Sequence, residues 1–160
     1  HKQEGRGIVK ATYINPIYIA AREVFQNMFS IELERGDLRV DEKIVPNHVI
    51  NVSIGITGDL KGTIVFSFPE EMVFNLVEEM AGMEFKEFDT FMASAIGEVA
   101  NIITGNAMSN LSESGYSCNI VPPQITVGLN KSFSTASKQI LIIPIQAGNK
   151  NFDLYISIKE

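Results

Sequence analysis

The chain has 160 residues, with 13 Lys and Arg against 19 Asp and Glu, a formal net charge of −6, one cysteine and 45% hydrophobic residues. That length and apolar content suit one domain with a sizeable core and exclude wholesale disorder. The acidic balance lacks the basic face that binds phosphates, so no nucleic acid is expected as a partner. A lone Cys118 excludes an intramolecular disulfide, and two scattered histidines leave no metal-ligand cluster. The longest apolar run, 140–145, is far short of a membrane span. Residues 1–12 read as an N-terminal tail or tag remnant, and 13–160 as a single soluble domain, cytoplasmic and not attached to a membrane.

In chain order, Asn15-Pro16 is a helix start signal, because Asn caps free amides and Pro suits the first turn. Ile17, Ala20, Ala21, Val24, Phe25 and Met28 then recur at helical spacing, which predicts a first helix over 14–29. The segment 38–45 alternates and reads as a strand stopped by Pro46-Asn47. Two further strand-like runs, 49–56 and 63–68, flank turn residues and predict a hairpin. Pro69 opens a second helix with Met72, Val73, Leu76, Val77 and Met80 on its apolar face, and Gly82 ends it. A longer third helix is predicted over 89–112, with Gly115 in the turn after it. Strands follow over 117–121, 124–129, 139–145 and 152–158, separated by polar loops at 130–137 and 147–151.

The fold class is therefore α+β, a largely antiparallel β-sheet packed with helices. Its two halves look alike. The first helix carries Glu23 and Gln26, with Pro46 following Gln26 by 20 residues; the third carries Glu98 and Asn101, with Pro122 and Pro123 following Asn101 by 21 and 22. This reads as an α-β-β-β duplication, with coincidence of spacing as the alternative.

The most informative stretch is 93–105. With Ser94 set at zero, Glu98 falls at about +40°, Asn101 at about −20° and Gly105 at about +20° around the helix. Ala95, Ile96, Val99, Ile102 and Ile103 gather on the other side, which is the core face. Glu98 is the one charge between Ser94 and Ser109, unlike an ordinary solvated helix face. Gly97 and Gly105 each cost roughly 1 kcal/mol relative to Ala inside a helix, and both reduce bulk where another surface could approach.

Ser94-x3-Glu98-x2-Asn101, followed by Val121-Pro122-Pro123, is similar to the signature of the CheC/CheX/FliY family of chemotaxis phosphatases. In that family an Asp or Ser, a Glu and an Asn share one helix, with a proline some twenty-two residues on. The hairpin sequence from Ile54 to Thr63, the segment Ala95-Ile96-Gly97-Glu98 and the run from Phe152 to Ile158 also resemble it, so the likeness spans 13–159. The size and the single full motif are most like the CheX branch, whereas CheC-type members carry two motifs.

The resemblance implies hydrolysis of the aspartyl phosphate on a CheY-type response-regulator receiver. Asn101 would then orient the attacking water, and Glu98 would anchor the receiver through a lysine beside its phosphorylation site. Ser94 and Gly105 would make supporting or partner contacts, and Pro122 or Pro123 would shape the adjoining loop. It implies no cofactor bound by this chain, with magnesium in the partner receiver, and a homodimer joined sheet edge to sheet edge. In the first helix Ile19 replaces the Asp or Ser, Glu23 matches, and Gln26 stands for Asn, which reads as a vestigial second copy.

A rival from another class is a non-catalytic module that binds a receiver or flagellar-switch component with the same helix. A third reading is an orphan sensory domain that keeps only the fold. His48 has no Ser or Cys partner at recognisable spacing and reads as a loop or strand-edge histidine; Cys118 reads as a buried structural thiol. Met80, Met83 and Phe85 are assigned to core packing over an exposed apolar patch, and Glu78 and Glu79 to a solvated face.

Overall fold

The computed structural model describes residues 11–136 and 138–160. Of the expected N-terminal tail, residues 1–10 lie outside that range. Helix α1 spans Ala11–Phe29, starting before the Asn15-Pro16 signal and holding Pro16 inside it. Tyr13 and Ile14 are both buried. Burying such side chains stabilises by about 1.5–3 kcal/mol each, which offsets the roughly 3 kcal/mol that an interior proline costs.

Two short strands follow, β1 (Leu33–Arg35) and β2 (Arg39–Asp41). Only three residues of the expected 38–45 strand pair within a strand, and Ile44 adds a bridge to Phe133. β1 escapes sequence reading because Leu33 is its one apolar residue, too little for a periodic pattern. The hairpin forms as expected, with β3 (Ile50–Gly58) and β4 (Lys61–Phe68). Helix α2 (Glu70–Ala81) ends at Gly82, whose left-handed φ of 69° lets its N–H reach the Glu78 carbonyl. Helix α3 spans Thr90–Glu113. The last strands are β5 (Cys118–Ile120), β6 (Gln124–Val127), β7 (Ile140–Ala147) and β8 (Lys150–Lys159). The expected 147–151 loop contracts to a two-residue turn, since Ala147 pairs with Lys150.

All eight strands join one antiparallel sheet in the order β1-β7-β8-β4-β3-β5, with β2 also pairing β7 and β6 also pairing β3. The arrangement has internal two-fold logic. One hairpin, β3-β4, meets the other, β7-β8, along β4 and β8, with Phe66 opposite Leu154. Each half's helix leads into a broken edge strand that pairs with the other half's hairpin: β1 and β2 with β7, β5 and β6 with β3.

One face of the sheet packs against the helices. Ile54, Phe66, Phe68, Ile143, Phe152 and Leu154 bury there with Ile17, Phe25, Ile96 and Ile103. Phe152 is fully buried there, stacked on Phe25 at 5.2 Å and tilted against Phe68 at 5.1 Å. The opposite face carries a smaller cluster of Ile44, Val65, Ile140, Ile142 and Tyr155. Beside it Asn51, Ser67 and Asp153 form a buried polar row across β3, β4 and β8. His48 closes over this row. Its N–H donates to Ser67 Oγ at 3.3 Å, its carbonyl accepts from Asn51 Nδ2 at 3.1 Å, and its Nε2 lies 3.7 Å from Asp153 Oδ2. Burial holds the Asp153 carboxyl above its ordinary range, only partly countered by His48 and Arg39.

Candidate functional site

Helix α3 carries the site, and its start is fixed by Asp89, whose Oδ1 accepts the Met92 N–H at 2.9 Å. Its inner stripe, including Met92, Ile96, Val99, Ala100, Ile103, Ala107 and Leu111, is buried. Ser94 and Glu98 stand exposed on the outer face, and Asn101 and Gly105 are half-buried on the same strip. The carboxylate and the carboxamide thus sit one turn apart on a rigid helix.

The β5–β6 corner forms one wall. Val121 N–H donates to the Gly55 carbonyl at 2.8 Å, and the chain then turns through Pro122, exposed, and Pro123, half-buried. A methyl built on Gly97 would stand 3.2 Å from Ile125 Cδ1 and 3.6 Å from Pro123 Cγ. Gly97 therefore serves the chain's own packing, letting the proline corner settle beside Glu98. Gly105 differs, because a methyl there meets nothing within 4 Å. It opens onto a groove of about 350 Å³ that runs past Ser109 and Ser112 to β5. Cys118 lines this groove half-buried, not sealed in the core, because β5 is an edge strand.

Two apolar side chains differ from the sequence reading, which assigned Met83 to the core and did not single out Phe91. Met83 is 60% exposed and Phe91 55% exposed, while Phe85 is half-buried and stacks on Phe91 at 5.4 Å. The Met80–Phe85 segment is thus not wholly core, and Met80 is also exposed. Phe91 lies two turns before Glu98 and within about 20° of it around the helix. The signal was their separation of seven positions, two helical turns. Glu78, expected in a solvated face, instead accepts the Phe85 N–H at 2.9 Å and holds this loop.

Glu23 and Gln26 are exposed on α1 and line a separate groove of about 390 Å³ with Arg22, Asn27, Glu32 and Leu33. They stand 6 and 3 residues before the helix end at Phe29, whereas Glu98 and Asn101 stand 15 and 12 before Glu113. Pro46 is buried between β2 and β3, while Pro122 and Pro123 lie between β5 and β6. The matching spacing in the two halves therefore does not place those residues at equivalent points of the fold.

Among the described residues no group of three or more His, Cys, Asp or Glu could hold a metal ion, and no helix is long and apolar enough to cross a membrane.

The three-helix layer on a single antiparallel sheet is a CheC-like architecture: the structure of a CheC-like superfamily protein from Shewanella sp. PV-4 superposes with a TM-score of 0.85, covering 95% of this chain and 100% of that one at 23% identity. The chemotaxis phosphatase CheX family matches residues 50–146. The CheY-P phosphatase CheX of Thermotoga maritima is 31% identical over 155 residues, 94% of this chain and 97% of that protein. A CheX–CheY–BeF3–Mg2+ complex from Borrelia burgdorferi superposes with a TM-score of 0.77 at 28% identity, covering 92% of this chain and 98% of that one. This chain belongs to the CheX family of chemotaxis phosphatases.

Proposed function

We propose that this chain accelerates hydrolysis of the aspartyl phosphate on a CheY-type receiver. Water attacks phosphorus, the bond from phosphorus to the aspartate oxygen breaks, and inorganic phosphate and free carboxylate result. An acyl phosphate is already activated, so the catalyst's task is to hold water in line and to stabilise charge. The observation that carries this reading is the exposed Glu98 one turn from the half-buried Asn101, on a helix face with no other charge before Glu113.

Asn101 suits the water because a neutral carboxamide both accepts and donates without placing a negative charge beside phosphate. Glu98, exposed on this face, anchors a basic side chain of the receiver. Ser94 adds a hydroxyl contact, Gly105 leaves room for the receiver surface, and the Pro122-Pro123 corner limits how the partner can tilt. Magnesium enters as the receiver's own ion, in keeping with the CheX–CheY–BeF3–Mg2+ complex of the Borrelia relative. The strands at the two ends of the sheet among the described residues, β1-β2 and β5-β6, suit a homodimer built by strand pairing, and the reaction belongs in the cytoplasm, where receivers work.

The test is loss of aspartyl phosphate from a magnesium-loaded, phosphorylated CheY-type receiver, with and without the protein. Faster loss that Asn101→Ala removes, with receiver binding retained, supports the enzyme. Binding of the receiver without any faster loss would establish the rival reading, a non-catalytic receiver-binding module.

A further inference from the structure

We propose that the loop joining α2 to α3 is a preformed receiver-selecting platform: its exposed Met83 and Phe91 meet an apolar surface of the activated receiver, and Glu84 and Glu87 pair with Lys or Arg at the edge of that surface. This rests on the phosphatase reading of α3 given above and adds which receivers the site accepts.

Three local contacts hold this loop in place. The Gly82 N–H reaches the Glu78 carbonyl at 2.9 Å, the Glu78 carboxylate accepts the Phe85 N–H at 2.9 Å, and Asp89 caps α3 through the Met92 N–H at 2.9 Å. Phe85 and Phe88 are half-buried and pack against the core, which ties the loop down from beneath. Met80, Met83 and Phe91 nevertheless stay exposed, with Phe91 stacked on Phe85. Apolar side chains on a backbone fixed in this way lose little freedom when a partner covers them. Exposed apolar area with a polar rim marks a contact surface.

Charge and distance say what covers it. Between residues 79 and 91 the exposed carboxylates are Glu79, Glu84, Glu87 and Asp89, against Lys86 as the one basic side chain. The complementary partner is an apolar patch edged by basic residues, and an acidic surface there would be repelled. Phe91 precedes Glu98 by about 10.5 Å along α3 and lies within about 20° of it around the helix. A transient complex that buries about 1,200 Å² covers about 600 Å² on each partner, a patch of radius about 14 Å. A receiver centred on Glu98 therefore extends over Phe91 and onto the loop beside it. The platform meets the same receiver that Glu98 anchors, and its charge and apolar area decide which receivers dock.

Binding of a beryllofluoride- and magnesium-loaded CheY-type receiver to the full chain tests this. Glu84→Lys with Glu87→Lys should weaken binding at least tenfold at low ionic strength. In about 1 M salt, where the screening length is about 3 Å, that loss should shrink to about twofold or less. Met83→Ser should weaken binding several-fold at both salt concentrations, and Met83→Leu, which keeps the apolar side chain, should bind as the wild type does. Asp37→Lys with Glu42→Lys makes the same change in net charge on exposed residues at the β1–β2 end of the sheet, and should leave binding within about twofold. Wild-type affinity in either the Glu84 and Glu87 pair or Met83→Ser, or an equal loss in the charge-matched control, would overturn the proposal. So would a change in the solution mass of these variants without a change in receiver affinity, which would make the platform a contact between copies of this chain. If the wild type neither binds the activated receiver nor speeds loss of its phosphate, it is the phosphatase reading that fails.

Discussion

Gly97 and Pro123 stand so close that a methyl on the glycine would lie 3.6 Å from the proline Cγ, with Ile125 Cδ1 at 3.2 Å. Gly105, two turns further along the same helix, has nothing within 4 Å. The two glycines therefore answer differently to substitution. Gly97→Val should destabilise the fold by about 1–3 kcal/mol through overpacking. Gly105→Ala should stabilise it by up to about 1 kcal/mol, because the helix gains and nothing is displaced. The same Gly105→Ala should raise KM for the phosphorylated receiver if a partner surface approaches there. Urea midpoints and steady-state kinetics separate the effects; unchanged kinetics in Gly105→Ala would remove Gly105 from the docking surface.

Asn101 and Glu98 should fail in different ways. Asn101→Ala removes the group that orients water and should lower kcat by about 100-fold or more, the scale of a misplaced reacting group. Asn101→Gln keeps the carboxamide one methylene further out and should retain a fraction of the rate. Glu98→Ala should act mainly on KM, with a weaker salt dependence of binding, because the lost contact is a charge pair. Kinetics at low and high ionic strength read both. Equal effects on kcat and KM from the two substitutions would contradict the division of roles.

Phe91 extends the same face with exposed apolar area. Exposed aromatic side chains rimmed by polar residues mark contact surfaces. Phe91→Ala should raise KM several-fold and leave kcat at saturating receiver unchanged. Thermal stability should drop little, since the side chain is 55% exposed and its ring stacks on the half-buried Phe85. A large fall in melting temperature would instead assign Phe91 to structure.

Asp153 predicts a pH dependence of stability. Its folded pKa lies above the ordinary 3.8 because burial penalises the charged form. The folded state therefore holds a proton that the unfolded state releases, and stability falls as pH rises from about 3.8 through the folded value. Asp153→Asn removes that titration, so its curve should lack the fall and lie at or above the wild type at pH 7. Urea midpoints between pH 3.5 and 8 check this; parallel curves would discount Asp153 as the titrating group.

Long periodic segments were legible in the sequence, and short irregular ones were not. Helices α2 and α3 and the β3–β4 hairpin follow from apolar spacing, caps and turn residues. β1 does not, because three residues with one apolar side chain owe their strand state to Ala147, Gln146 and Ile145 of β7. The face bearing Ser94, Glu98, Asn101 and Gly105 was legible because helical periodicity fixes directions without knowledge of the fold. The correspondence between the halves was not. Spacing to a proline paired Glu23 and Gln26 with Glu98 and Asn101, yet the first pair stands 6 and 3 residues before the end of its helix and the second 15 and 12. Phe91 was missed because an aromatic at helical spacing usually enters the core, whereas here it stays 55% exposed and stacks on Phe85.

Phe152 joins the two halves. It sits on β8, yet its ring stacks on Phe25 of α1 at 5.2 Å with an interplanar angle of 12°, and meets Phe68 of β4 at 5.1 Å. Phe68 in turn lies 6.3 Å from Phe66. Removing the ring takes away contacts to a helix and a strand of the first half at once, and the side chain is fully buried. Phe152→Ala should therefore cost about 3–5 kcal/mol, a large share of the 5–15 kcal/mol typical of a domain. Phe152→Leu keeps most of the volume and should cost less. Because the ring packs against Phe25 of α1 and Phe68 of β4, activity per folded molecule should not change: at a temperature where both proteins are folded, kcat and KM of Phe152→Leu should match the wild type. A changed kcat in that variant would mean that core packing between the halves sets the geometry of α3.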